Sequence, residues 1–390
     1  MEEWKIIKAC DYCYNVTDGT HDSPKQKEVG KHLITSKHIK ENRIDFEHAY
    51  KISEEDYKKI ISRSKVDQWD ILISMIGAYC GFCCIESSTQ TDYAIKNVGL
   101  FKIGDELKCR WLYYYLTSPQ GKEQLSILRS GSSQPYIPLG ALRNLDIPVP
   151  STQYMELTIS ILKSLDDKIE LNRRINENLE QQAQALFKSW FVDFEPFKDG
   201  KFVDSELGMI PEGWKVGNLE ELVEVKYGKD HKKLASGDIP VYGSGGIMRY
   251  ADKSLYDKES VLIPRKGSLN NVMYVNHPFW TVDTMFYTCM KIEGIAKFIY
   301  LLISPKDLLS MNSGSAVPSM TVDILNKIVI TIPTTTILQK FESIVKPIFI
   351  MMESCSTENK KLAQLRDTLL PRLMSGELAI TDVDDRSIFQ

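Results

Sequence analysis

The chain has 390 residues, 43% of them hydrophobic, which is material for two cores of ordinary domain size. It has no run near the roughly 20 apolar residues of a membrane span, no signal-peptide pattern, and eight cysteines too thinly spread for a disulfide scaffold, so a cytoplasmic location without a membrane partner is expected. The net charge of -4 divides into zero for residues 1–150, -4 for 151–210, +1 for 211–333 and -1 for 334–390. That excludes the bulk basic signature of a nucleic-acid binder, leaving only a local face, or a larger assembly, to meet DNA.

In chain order, Trp69 to Gly77 reads as a strand ending in a glycine turn. Trp111 to Leu116 reads as a short buried helix, and Leu145 to Val149 as an edge strand halted by proline. A long helix is predicted from about Ser151 to Asp193, because Leu165, Asn172, Leu179 and Leu186 recur every seven residues with Ile161 and Ile175 beside them. Residues 196–213, with the turn Pro211-Glu212-Gly213, form a linker. The strand Ser260 to Gly267, the short helix Phe298 to Leu302 and the edge strand Ile328 to Ile332 follow. A second long helix carries Ile348, Cys355, Leu362 and Leu369 at the same spacing, flanked by Ile344, Met351 and Leu365. Proline predicts an interruption at Pro347 and an end near Pro371. An apolar period of about 3.5 residues is a coiled-coil seam, and Asn172 within it is the kind of buried amide that fixes register. Either each helix packs its stripe against another surface of its own domain, or, as the matched heptads favour, the two pair antiparallel about an approximate two-fold axis, with a globular head at each end of a rod.

The sequence also repeats. Gly131-Ser132-Ser133-Gln134-Pro135 through Pro150 recurs as Gly314-Ser315-Ala316-Val317-Pro318 through Pro333 at an offset of 183, which holds into the helices. The offset is 186 between Tyr115-Leu116-Thr117-Ser118-Pro119 and Leu301-Leu302-Ile303-Ser304-Pro305, 190 between Asp70 and Ser260, and 210 between Trp4 and Trp214. Two copies of one unit thus share their helical part and diverge in their globular part. The expected fold class is α+β: two similar globular domains joined by two long helices that form an antiparallel coiled-coil spacer, with an internal pseudo-two-fold repeat. The expected domains are 1–150, a helical region 151–195, a linker 196–213, a second head 214–333, a helical region 334–378 and a tail 379–390.

Three catalytic or metal readings fail. Cys10-x-x-Cys13 and Cys80-x-x-Cys83 have zinc-like spacing, but in strands or hairpins odd spacing sends side chains to opposite faces, so no metal is expected. Pro211-Glu212 with Glu224-Val225-Lys226 fits a nuclease pattern only loosely, its first acid lying in the linker turn. For methyl transfer the chain lacks an Asn/Asp-Pro-Pro-aromatic motif and a glycine loop for the methyl donor; Tyr242-Gly243-Ser244-Gly245-Gly246 has neither the spacing nor the ending of a nucleotide loop.

The order and duplication of several segments resemble the specificity (S) subunits of type I restriction–modification systems, over nearly the whole chain. The first head carries Asp18-Gly19-Thr20-His21-Asp22-Ser23-Pro24, then Gly30 and Asp70 to Gly77. The second carries Pro240 to Ile247, Pro264-Arg265-Lys266-Gly267-Ser268 and Phe279-Trp280-Thr281-Val282-Asp283-Thr284. The helices end in Leu186 to Phe194 and Leu365 to Leu378. The resemblance implies a non-catalytic subunit without cofactor, whose two target-recognition domains each read one half of a bipartite, asymmetric site on double-stranded DNA. The helices would set the spacer and seat two adenine-N6 methyltransferase subunits, with restriction/translocase subunits joining that core. A coiled-coil scaffold whose heads bind protein is the alternative.

Sequence readout needs side chains that pair with base edges, while lysines on phosphates mainly position the duplex. In the second head the turn bearing Arg265, Lys266, Ser268 and Asn270 offers clustered donors; the other reading is a solvated turn. Its counterpart in the first head, Met75-Ile76-Gly77-Ala78-Tyr79, is apolar, so the heads should not make the same contacts there. Thr20 and His21 face either DNA or their own loop. Lys25, Lys37 and Tyr79, the turns with Ser132, Ser133 and Gln134 and with Ser313 and Ser315, and Lys229, Tyr242 and Ser244 complete the candidates.

Overall fold

A computed structural model describes residues 4–40, 42–131, 134–311 and 319–378. The chain divides into two compact units, Met1–Glu170 with Asn359–Gln390, and Leu171–Glu358. Each unit therefore takes one head and part of both long helices.

In the first unit the central sheet is antiparallel, in the order Asn15–Asp18, Val98–Lys102, Ile71–Ser74, Cys83–Ile85. Its middle strands are apolar on both faces because both faces are covered. Ile71, Ile73 and Phe101 pack with Trp111, Leu112 and Leu116 of the helix Glu106–Thr117 and with Met155, Ile159 and Leu162 of the first long helix. Leu72, Val98 and Leu100 face a second core with Ile34 and Ile95 from the parallel pair Lys31–Thr35 and Ala94–Lys96. A separate pair, Lys5–Lys8 with Asp146–Val149, leads into the long helix Thr152–Phe191.

The second unit repeats this plan. Its sheet runs Val223–Tyr227, Met285–Met290, Ser260–Pro264, Met273–Val275, again antiparallel. Val261, Ile263 and Phe286 face the helix Ala296–Ile303 and Phe341 of the second long helix; Leu262, Met285 and Tyr287 face a core with Val241 and Phe279. Ile239–Gly243 pairs in parallel with Trp280–Thr281, and Lys215–Asn218 pairs with Val329–Ile332 before the long helix Thr335–Met374. The shrinking offset now has a physical cause. The first head carries the helix Glu54–Ser64 before its central strand, where the second has the hairpin strand Gly246–Ala251.

The two long helices run antiparallel within each unit. In the first, Asn359 Nδ2 donates to the Ile169 carbonyl at 3.1 Å, Arg366 Nη1 to Asp166 Oδ1 at 2.9 Å, and Tyr154 Oη to the Leu373 carbonyl at 2.9 Å. In the second, Asn172 Nδ2 donates to Glu358 Oε2 at 2.7 Å and Asn176 Nδ2 to Ser356 Oγ at 3.0 Å. Asn172 is fully buried, as its place in the seam predicts, while Leu165, Leu179, Leu186, Ile348, Cys355, Leu362 and Leu369 are half-buried.

Three expectations about these helices need correction. The flanking row is not Ile344, Met351 and Leu365, which are exposed, but Val345, Met352, Asn359, Arg366 and Leu373; in the first helix it is Leu162, Ile169, Asn176, Ala183 and Trp190, with Ile161 and Ile175 only half-buried beside it. Apolarity alone pointed to the wrong neighbours because several seam positions are polar. Pro347 does not interrupt its helix: it and Ser343, whose carbonyl loses the amide bond, are both exposed, a position where losing one helical bond is least costly. Pro371 does not stop the helix either, which runs on to Met374; the first helix, Thr152–Phe191, matches the expected span of about Ser151 to Asp193.

Candidate nucleic-acid interface

Each head carries a turn where its third sheet strand leaves the core, and both turns are held by the same backbone frame. In the first head the Ile137 amide donates to the Met75 carbonyl at 2.9 Å and Ile76 bridges Tyr136. In the second, the Met320 amide donates to the Arg265 carbonyl at 2.9 Å and Lys266 bridges Ser319. These pairs match at the offsets of 190 and 183 read from the sequence. The frame is common; the side chains it displays are not.

In the second head Arg265 and Lys266 hang their amides on the Thr284 carbonyl, at 2.8 and 3.3 Å. Gly267 has φ +85°, and a Cβ there would lie 2.7 Å from Ser244 Oγ, so glycine lets the turn fold onto the hairpin. Asn271 Nδ2 donates to the Ser244 carbonyl at 2.8 Å, fastening the two loops together. The Arg265 guanidinium stacks over the Tyr227 ring, 5.3 Å from its centre, and Nη1 donates to the Asp283 carbonyl at 3.3 Å. Lys266, Ser268 and Lys229 are exposed.

Two candidates in this head are occupied with the fold instead. Tyr242 is buried at 8% exposure, its hydroxyl lies 3.1 Å from His277 Nε2, and burial pushes its pKa up to about 12. The glycine-rich loop suggested a surface residue, but Tyr242 is a strand residue pointing into the head's own core. Asn270 donates to Asp307 Oδ1 at 3.2 Å and accepts from the Leu309 amide at 3.0 Å, so its amide braces a neighbouring loop.

In the first head the apolar turn is flanked by cations that the sequence did not associate with it. Lys40 Nζ sits 4.1 Å from the centre of the Tyr79 ring, and Arg129 Nη2 donates to the Cys80 carbonyl at 2.7 Å. Tyr79 and Tyr136 are both exposed, as is Gln134. Lys40, Arg129, Tyr136 and, in the second head, Tyr227 were missed because each comes from a segment distant in sequence; only strand pairing brings them to the turns.

Thr20 and His21 lie apart from this turn, on a loop bound to the sheet. Gly19 passes so near the Ile95 carbonyl that a Cβ would lie 2.2 Å away. Thr20 Oγ1 accepts from the Asp22 amide at 3.1 Å, and the exposed His21 ring is held between Asp18 Oδ2 at 3.1 Å and Asn97 Oδ1 at 2.8 Å. Arg63 Nη2 clamps the loop to the Glu54–Ser64 helix through Asp18 Oδ1 at 2.9 Å. Lys25 and Lys37 are exposed. Ser132, Ser133, Ser313 and Ser315 lie outside the described residues.

Among the described residues no group of three or more His, Cys, Asp or Glu side chains could hold a metal ion. Cys10 lies on a helical turn, Ala9–Tyr12, rather than on a strand, and is exposed, while Cys13, Cys80 and Cys83 are buried.

Residues 1–181 and 211–365 both match the type I restriction modification DNA specificity domain. The chain belongs to that family. It is 31% identical over 309 residues to the specificity subunit of the type I restriction enzyme MjaIX of Methanocaldococcus jannaschii, an alignment covering 72% of this chain and 71% of that protein. It is 26% identical over 356 residues to the HindI specificity subunit of Haemophilus influenzae, covering 69% and 77%. The S subunit crystal structure from M. genitalium shares the fold, with a TM-score of 0.55 at 17% identity over 95% of this chain and 96% of that one. This chain is therefore a DNA-specificity subunit; the protein-binding scaffold, the alternative, is not what these relatives support. No described helix of the specificity subunit is long and apolar enough to cross a membrane.

Proposed function

We propose that this specificity subunit reads a bipartite, asymmetric site on double-stranded DNA, one half with each head, and performs no catalysis itself. The observation that carries the reading is the shared turn frame: one backbone arrangement displays Arg265 and Lys266 in the second head, whereas in the first it buries Met75 and shows Ile76 and Tyr79. Equal frames with unequal side chains suit two half-sites of unlike sequence. The target-recognition domains would span 1–150 and 214–333, the helical regions 151–195 and 334–378, with 196–213 as linker and 379–390 as tail.

The long helices, at 40 residues each, are about 60 Å long at about 1.5 Å per residue. Successive major-groove visits on one DNA face lie about 34 Å apart, so helices of this length suit a spacer between half-sites. Two adenine-N6 methyltransferase subunits would seat on them, with restriction/translocase subunits joining through that core, in the cytoplasm. The heads' near-neutral charge fits this division of labour, since phosphate contacts can come from the partners.

The test is to co-express the chain with its methyltransferase subunit and map N6-methyladenine over a genome. The expected result is one asymmetric motif of two short blocks around a fixed gap, methylated on both strands. An assembled, soluble complex that adds no methylation overturns the reading.

A further inference from the structure

We propose that Arg265 is the residue by which the second head reads a guanine in the major groove, with Tyr227 as its positioning residue. The inference rests on the DNA-specificity reading above and goes on to assign a base.

Arg265 is the first residue after the buried strand Ser260–Pro264, so its backbone starts from the rigid centre of the sheet. Its amide and carbonyl are both engaged, with Thr284 and Met320, which fixes the direction in which the side chain leaves. Tyr227 fixes the guanidinium plane by stacking, and Tyr227 itself rests against Phe286, ring centres 5.1 Å apart. Among the described residues only Nη1 has an acceptor, the Asp283 carbonyl, and the Nε and Nη2 donors have none. A held guanidinium with one open two-donor edge matches the O6 and N7 acceptors of guanine, an arrangement no other base presents in the major groove. Preorganisation matters because the rotamer entropy of a long side chain is then lost on folding rather than on binding.

The neighbouring groups are poorer readers. Asn270 braces Asp307 and Leu309, Asn271 holds the Ser244 carbonyl, Tyr242 is buried, and Lys266 is a point charge without fork geometry. The first head has no counterpart, since the residue in the same frame position is Met75, at 6% exposure. The guanine requirement should therefore belong to one half-site only.

The experiment uses the full chain assembled with its methyltransferase subunit, in wild type, R265A, R265K, Y227F and Y227L forms, with methylation motifs mapped genome-wide. In wild type, one half-site contains a guanine. In R265A and R265K that position alone becomes degenerate, its discrimination falling roughly tenfold to a hundredfold. Y227L loosens the same position, and Y227F, which keeps the ring, restores it. An unchanged motif in R265A overturns the proposal, as does relaxation at a base other than guanine. Even loss of methylation over all sites makes Arg265 a phosphate contact and also overturns it. R265K, which keeps the charge, serves as the folding control. A wild-type complex with no motif overturns the DNA-specificity reading itself, and this inference with it.

Discussion

Arg366 meets Asp166 across the two long helices, Nη1 to Oδ1 at 2.9 Å, and Tyr114 donates its hydroxyl to the other oxygen of that carboxylate at 2.9 Å. One carboxylate thus joins three helices of the first unit. Burial works against the Arg366 charge, but hydrogen bonds to Asp166 and Asp367 outweigh it and push its pKa up. The equivalent tyrosine of the second unit, Tyr300, bonds a different carboxylate, Glu180, and also meets Phe349 edge-on, ring centres 5.9 Å apart. Asp166→Asn keeps the shape and removes the charge, leaving Arg366 half-buried with only Asp367 to balance it. The expected cost is about 2 kcal/mol, and about 1 kcal/mol for Tyr114→Phe, measured by urea unfolding. An Asp166→Asn variant as stable as wild type would remove the ion pair from the account.

Lys297 joins the second head to its long helix in a comparable way. Its side chain is 4% exposed, and the ammonium lies 2.9 Å from Glu259 Oε1 and 2.7 Å from Glu342 Oε1. Burial pushes the Glu342 pKa up, whereas for Glu259 the bonds from Tyr274 and Lys297 outweigh burial and pull it down. Lys297→Met leaves two carboxylates facing each other with only the more distant Lys346 charge to balance them, at a cost of about 3 kcal/mol. Adding Glu342→Leu should recover most of the loss, because an apolar replacement of a buried pair is close to neutral. Calorimetric melting of the single and double variants distinguishes the cases: a double variant no better than the single one would mean that packing, not charge, fails.

How much of this was legible in the sequence follows from what each feature depends on. The duplication was plain because repeated strand and helix ends keep their spacing, and it matched one strand of each four-stranded sheet and one edge strand of each head; the strands they pair with were not read. The seam was visible through Asn172 and the leucines, but its second row was not, since Asn176, Asn359 and Arg366 are seam residues that look like surface ones. Pro347 misled for a related reason: a helix tolerates proline where the freed carbonyl meets water, and exposure is a tertiary fact. In the candidate interface, the Arg265 turn was found because its donors are contiguous. Tyr227, Lys40 and Arg129 were not, because their places are set by strand pairing between distant segments.

The corrected seam makes a rank-order prediction. Leu162 is fully buried and Leu179 half-buried, whereas Leu365, apolar and one position from the seam, is 48% exposed. Leu162→Ala should cost about 3 kcal/mol and Leu179→Ala about half that, with Leu365→Ala within about 0.5 kcal/mol of wild type. Leu179→Asp and Leu362→Asp place a charge in the seam and should also disrupt head spacing and methyltransferase assembly. Denaturant midpoints and size-exclusion of the assembled complex read these effects. A Leu365→Ala loss as large as that of Leu162→Ala would restore the seam first expected.

Glu180 supplies a pH test confined to one side chain. Burial pushes its carboxyl pKa up, while bonds from Tyr300 and Gln184 recover only part of the shift, and Oε2 is buried with no partner among the described residues. With the folded pKa above the unfolded one, the fold binds this proton more tightly than the unfolded chain does. Its contribution is therefore fully present below the ordinary glutamate value of about 4.3 and is lost as pH rises through the folded value. Glu180→Gln cannot ionise and keeps an oxygen for Tyr300. It should melt above wild type at pH 7, with the gap closing as pH falls toward 4. Other carboxylates titrate alike in both proteins, so the difference between the two melting curves reports Glu180 alone. A gap that stays constant across this range would mean that the buried carboxylate carries no ionisation penalty.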